Sequence, residues 1–148
     1  MPEKRTMKRA QQAKRQGKSP STQAGAFVHE EIEHIRDGQH GARSAKQAIA
    51  IGLSKARRAG VKLPPPPKTA SERTKRTAKR DSAQAGKRTK PSAARSRAAT
   101  RALKGESQAA ASHDALSRQA KAAARRRPAK ARKAAAKKAA KTRARRQA

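Results

Sequence analysis

PSTQAGAFVHEEIEHIRD at residues 20–37, followed by SAKQAIAIGLSKARRAG at 44–60, is the stretch whose reading decides the fold. Ala24, Phe27, Val28, Ile32 and Ile35 recur at spacings of three and four, which puts them on one face of an α-helix. Glu30, Glu31 and Glu33 occupy much of the other side. Ser19 or Ser21 can cap this helix, Pro20 suits its first turn, and Gly38 is a natural stop. Ser44 with Gln47 three residues on forms a capping-box signature. Ala45, Ala48, Ile49, Gly52, Leu53 and Ala56 make a second stripe. Gly60 ends it, with Val61 placed for the apolar contact of a Schellman motif. The reading is a helical hairpin over 19–63, with helices at about 20–37 and 45–59. Its expected core is Phe27, Val28, Ile32, Ile35, Ile49 and Leu53.

Outward from the hairpin the composition changes. The chain has 148 residues and a formal net charge of +32, with no cysteine. Residues 1–18 carry a net +6, residues 19–64 only +3, and residues 65–148 the remaining +23. Most of the apolar fraction is alanine. Phe, Ile, Leu and Val together number 11, and nine of these lie within 19–64. That is far below the roughly 20% under which a highly charged chain reads as disordered. The expected fold class is therefore a mostly disordered chain with a small all-α part. Residues 1–18 are a basic arm able to form a helix, Pro64–Pro67 a polyproline spacer, and 68–148 a disordered Ala/Lys/Arg-rich tail. Nine large apolar side chains are few for a hairpin, so self-association or a partner contact is expected to complete its core.

The charge is the main functional signal. Duplex DNA presents one phosphate charge per about 1.7 Å of axis, and each phosphate neutralised releases condensed counterions. Arg125, Arg126, Arg127, Lys130, Arg132, Lys133, Lys137, Lys138, Lys141, Arg143, Arg145 and Arg146 are the candidate nucleic-acid contacts, in a stretch without an acidic residue. Like charges at i,i+4 oppose a helix there, whereas phosphates would neutralise them and favour it. Single-strand readers stack bases on aromatic rings. The chain has no Trp or Tyr, and its one Phe belongs to the expected core, so duplex DNA fits better than single strands, with structured RNA satisfying the same electrostatics. Arg43, Lys46, Arg57 and Arg58 flank the second helix and read as solvated charges rather than base readers. The interhelix loop is also longer than a helix-turn-helix turn.

Other chemistries find little footing. His29-Glu30-Glu31-Ile32-Glu33-His34 has the look of a zinc-protease motif, but its histidines are five apart, about 140° around the helix, not four. His40 follows the helix end. No metal, cofactor, small-molecule substrate or membrane partner is expected, and no enzyme. A chain without cysteine or an apolar leader suits a reducing compartment, giving a cytoplasmic, nucleoid-associated expectation.

Two resemblances join this reading. Residues 68–148, with Ala-Lys-Lys-Ala-Ala-Lys at 136–141, resemble linker-histone tails and bacterial histone-like proteins. They depart from the linker histones in being as rich in Arg as in Lys and in lacking a winged-helix domain. Pro20–Gly25, Glu30–Arg36, Gly41–Ser44 and Lys46–Gly60 resemble a small bacterial family of unknown function, over about residues 1–67. Members are sometimes labelled plasmid stabilisation proteins, and the resemblance implies no catalytic residues. The combined expectation is a sequence-non-specific, histone-like DNA-binding protein that coats or compacts DNA, linked through that label to plasmid stabilisation. The alternative is a protein-interaction module whose hairpin binds one protein while the basic tail holds it on DNA or RNA.

Overall fold

The computed structural model describes residues 2–87 and 92–147. The expected hairpin helices are α2, Pro20–Arg36, and α3, Ala45–Arg58; α1, Lys4–Arg15, precedes them. After them come α4, Glu72–Ala83, α5, Ala93–Lys104, a 3-10 turn at Gln108–Ala111, α6, His113–Arg125, and α7, Ala129–Gln147. The chain divides after Ser112 into two units. A mostly disordered chain with a disordered tail over 68–148 is therefore overturned: the described residues are largely helical. The physical reason lies in the composition itself. Alanine and the straight-chain cations are strong helix formers. Serines at the segment boundaries cap them: Ser71 accepts from Thr74 N and Ser92 from Arg95 N.

The hairpin ends are built by local hydrogen bonds. Ser19 Oγ accepts from Thr22 N, with Pro20 in the first turn, and Ser44 Oγ accepts from Gln47 N at 3.2 Å. At the far end of α2, Gly38 N donates to Ile35 O and Gln39 N to His34 O. Gly60 N donates to Arg57 O and Val61 N to Ala56 O. These paired bonds are Schellman closures, and Gly38 and Gly60 supply the positive φ they need, 73° and 91°.

Packing within the first unit departs from the expected core in one instructive way. Phe27 and Ile35 are fully buried, but the buried positions of α3 are the small ones, Ala45, Ala48, Gly52 and Ala56. Val28, Ile32, Ile49 and Leu53 flank them half-buried. The cause is the close approach of the helices. A Cβ on Gly52 would stand 2.7 Å from Val28 Cα. Where two backbones come that near, the contact itself excludes anything larger.

Two apolar clusters result. One joins Phe27, Ala24, Ala56 and Val61 to Ala10 of α1, with Met7, Leu53 and Leu63 at its edge. The other joins Ile35, Ala42 and Ala48 to Ala110 and Ala111 of the 3-10 turn, with Ile32 beside them. Both clusters are thus closed by segments of the same chain outside the hairpin. The basic arm covers one end of the hairpin, and residues 108–111 the other.

Polar bonds fasten the rest of this unit. Gly41 N donates to Leu103 O at 2.8 Å and Ala42 N to Ser107 O at 3.0 Å. A Cβ on Gly41 would collide with the Glu106 carbonyl, so only glycine fits this clasp. α4 lies along α3, where buried Asp81 meets Ser54 and Arg58. The proline run at 64–67 leads from α3 into α4, and Arg57 donates to Pro64 O at 3.3 Å.

Candidate nucleic-acid interface

The cations of the chain sort into two groups. Some hold the fold. Lys55 Nζ lies 2.6 Å from Glu31 Oε2 and 3.8 Å from Glu30 Oε1. Arg36 donates to Ala111 O at 3.1 Å, tying α2 to the 3-10 turn. Arg43 pairs with Glu106 at 3.7 Å and Arg58 with Asp81 at 3.9 Å. Of the four basic residues near the ends of α3, Arg43, Arg57 and Arg58 thus meet residues that follow the hairpin.

The remaining cations face water. α1 turns Thr6 and Ala10 inward and exposes Lys4, Arg5, Lys8 and Arg9. In α6, Arg118, Lys121 and Arg125 recur at spacings of three and four, so they share a face. Arg126 and Arg127 lie in the turn before Pro128, and both are exposed.

α7 is cationic on every side. Its 19 residues include Lys130, Arg132, Lys133, Lys137, Lys138, Lys141, Arg143 and Arg145, all exposed, and no acid. The side chain of Arg146 lies outside the described residues. Lys133, Lys137, Lys141 and Arg145 fall four apart, which lines them up along one ridge. At 1.5 Å per residue the helix is about 29 Å long, a length over which a duplex carries about 17 phosphate charges. The helix therefore offers a row of exposed cations along one ridge.

One feature of the hairpin was not legible in the histidine spacing. His29 is exposed and stands apart. Instead the loop after α2 carries His40 back over the helix. His40 Nε2 lies 3.3 Å from Glu31 Oε1, and the rings of His34 and His40 meet edge to face with centroids 6.3 Å apart. The ligand atoms of Glu31, His34 and His40 all lie within 4.8 Å of one another. Counting from His29 to His34 along one helix could not reveal this, because the third member comes from a loop closed by Gly38.

Among the described residues no helix is long and apolar enough to cross a membrane. No curated protein and no solved structure matches the chain. Residues 4–69, from α1 through the hairpin to the proline run, match a family of unknown function, DUF6496, and to that family this part of the chain is similar.

Proposed function

We propose that the protein binds duplex DNA without sequence preference, through the phosphate backbone, and that it coats or compacts the DNA it covers. The observation that carries this reading is α7, whose described cations are all exposed and include a Lys133–Lys137–Lys141–Arg145 ridge. A helix with neither an apolar face nor acidic partners for its i,i+4 cations gains nothing from packing on protein and much from neutralisation by polyanion. Arg118, Lys121 and Arg125 of α6 extend the same kind of surface. The fold changes the expected mechanism in one respect. The binding element is a helix, so fewer residues need ordering when phosphates arrive, and less conformational entropy opposes binding.

Phe27, the one aromatic side chain besides histidine, is fully buried. Base stacking is accordingly no part of the proposal, and its substrate is double-stranded. Compaction of bacterial DNA is the role this reading fits best. A link to plasmid maintenance would be one setting for it. No catalytic step is proposed.

The test is a quadruple substitution, Lys133, Lys137, Lys141 and Arg145 to Gln, in the full chain. Binding to random duplexes of unrelated sequence should weaken uniformly. The slope of log affinity against log salt should become shallower by about 3–4, near 0.9 for each phosphate no longer neutralised. An unchanged slope would remove α7 from the interface.

A further inference from the structure

We infer that Glu31, His34 and His40 form a binding site for one divalent transition-metal ion of the zinc class, seated where the interhelix loop closes over α2. The placement of protons is decisive. His40 Nδ1 lies 3.0 Å from Gly41 O. A carbonyl oxygen only accepts, so Nδ1 carries the hydrogen and donates it. That leaves Nε2, in the neutral ring, as a bare lone pair. Yet Nε2 faces another acceptor, Glu31 Oε1, at 3.3 Å. Two acceptors facing each other need a cation between them.

The distance favours a metal over a second proton. A charge-assisted N–H···O bond contracts to about 2.7–2.9 Å. In a tetrahedral zinc site, ligand bonds of about 2.0–2.2 Å put neighbouring donor atoms about 3.3–3.5 Å apart. The His40 Nε2–Glu31 Oε1 separation of 3.3 Å falls in this range, and the ligand atoms of all three residues lie within 4.8 Å of one another. The Nδ1–H bond to a backbone carbonyl is also the support that a metal-bound imidazole ordinarily has.

Charge points the same way. Glu30 and Glu31 are both buried and share the single ammonium of Lys55. Lys55 takes Oε2 of Glu31, which leaves Oε1 to the histidines. Glu3, 3.2 Å from His34 Nε2, stands at the mouth as a further oxygen donor. The two buried carboxylates and their one ammonium leave a net negative charge beside the histidines, which a bound cation offsets. One nitrogen from α2, one from the loop and a carboxylate from α2 give the mixed His/Glu donor set that suits zinc and its neighbours.

The consequence is mechanical. The ion would fix the loop at 38–43, whose Gly41 and Ala42 hold the segment 103–107. This inference is independent of the DNA-binding proposal, since none of its residues lies in α6 or α7.

The experiment uses the full chain, stripped with chelator and titrated with CoCl2 and ZnCl2. One equivalent of Co2+ should produce the visible absorption of a tetrahedral site, zinc should displace it, and zinc should raise the melting temperature. His40→Ala should weaken the affinity at least about 10-fold, since even loss of an outer-shell partner costs 10–100-fold. His29→Ala, remote from the site, should leave it unchanged. Should His40→Ala fail to fold by circular dichroism, His34→Gln carries the same comparison. Absence of a saturable cobalt band, no thermal shift with zinc, or equal losses in the His29 and His40 variants would each overturn the site.

Discussion

Ser54 of α3 donates its hydroxyl proton to Asp81 of α4 across 2.5 Å, and through this bond the first helix after the proline run is fastened to the hairpin. Asp81 is buried, with Arg58 alongside it. It is one of only four acidic residues beyond Pro64. Asp81→Ala should lower stability by about 1–3 kcal/mol, the range for leaving a buried polar partner unsatisfied. Ser54→Ala should cost less. The double variant should fall short of the sum, because both changes remove the same bond. Denaturant midpoints for the three variants check this, and additive losses would show that the two residues act apart.

Two glycines of the hairpin should respond to alanine with opposite signs. At Gly52 the new methyl would meet Val28 Cα at 2.7 Å and Phe27 O at 3.1 Å. Overpacking of this kind costs about 1–3 kcal/mol. At Gly25, exposed in α2, a Cβ meets nothing within 4 Å. There alanine only restricts the unfolded chain and should stabilise by about 0.5–1 kcal/mol. Thermal unfolding of both variants decides the matter.

That pair also shows where the sequence was readable. Ser44 and Gly60 announce the ends of α3, because a cap and a Schellman closure each require a particular residue type at a particular step. The apolar period located the face of α2. It also located the face of α3, whose stripe included Ala45, Ala48, Gly52 and Ala56, but the expected core gave the weight to Ile49 and Leu53, which are only half-buried, while the helices meet at the small residues. Small residues mark a close crossing only after the partner helix is known.

The larger misreading was of the tail at 68–148. Sparse large side chains and heavy charge argued for disorder. Yet Ala110 and Ala111 are buried against Ile35, and the clasp at Gly41 is made by backbone atoms alone. Backbone hydrogen bonds leave no trace in composition. The candidate cations of α7 were legible from charge; their alignment into a ridge was not, since it needs the helix.

Within α7, binding and helix stability should trade against each other. Lys137 stands four residues from both Lys133 and Lys141. Lys137→Glu replaces two repulsive pairs with two attractive ones, each worth about 0.2–0.5 kcal/mol. The helical signal at 222 nm should rise, and its dependence on salt should weaken. Affinity for duplex DNA should fall. Loss of helix together with loss of affinity would contradict the account.

For the intact protein, affinity for random duplex should be high at low salt and should fall steeply. With ten or so phosphate contacts the log–log slope should be about −9. A slope shallower than about −3 would be incompatible with a coating protein.

The clasp between Gly41 and Leu103 sets an order of events during synthesis. The hairpin can close as soon as α3 has emerged, but the residues that seal its loop end lie roughly 50 positions beyond α3. At about 5–20 residues per second, the ribosome takes several seconds to deliver them. For that interval Ile35 and Ala48 have no lid. A nascent chain halted between α3 and α5 would present this bare patch to chaperones, and one released after Ser112 would not.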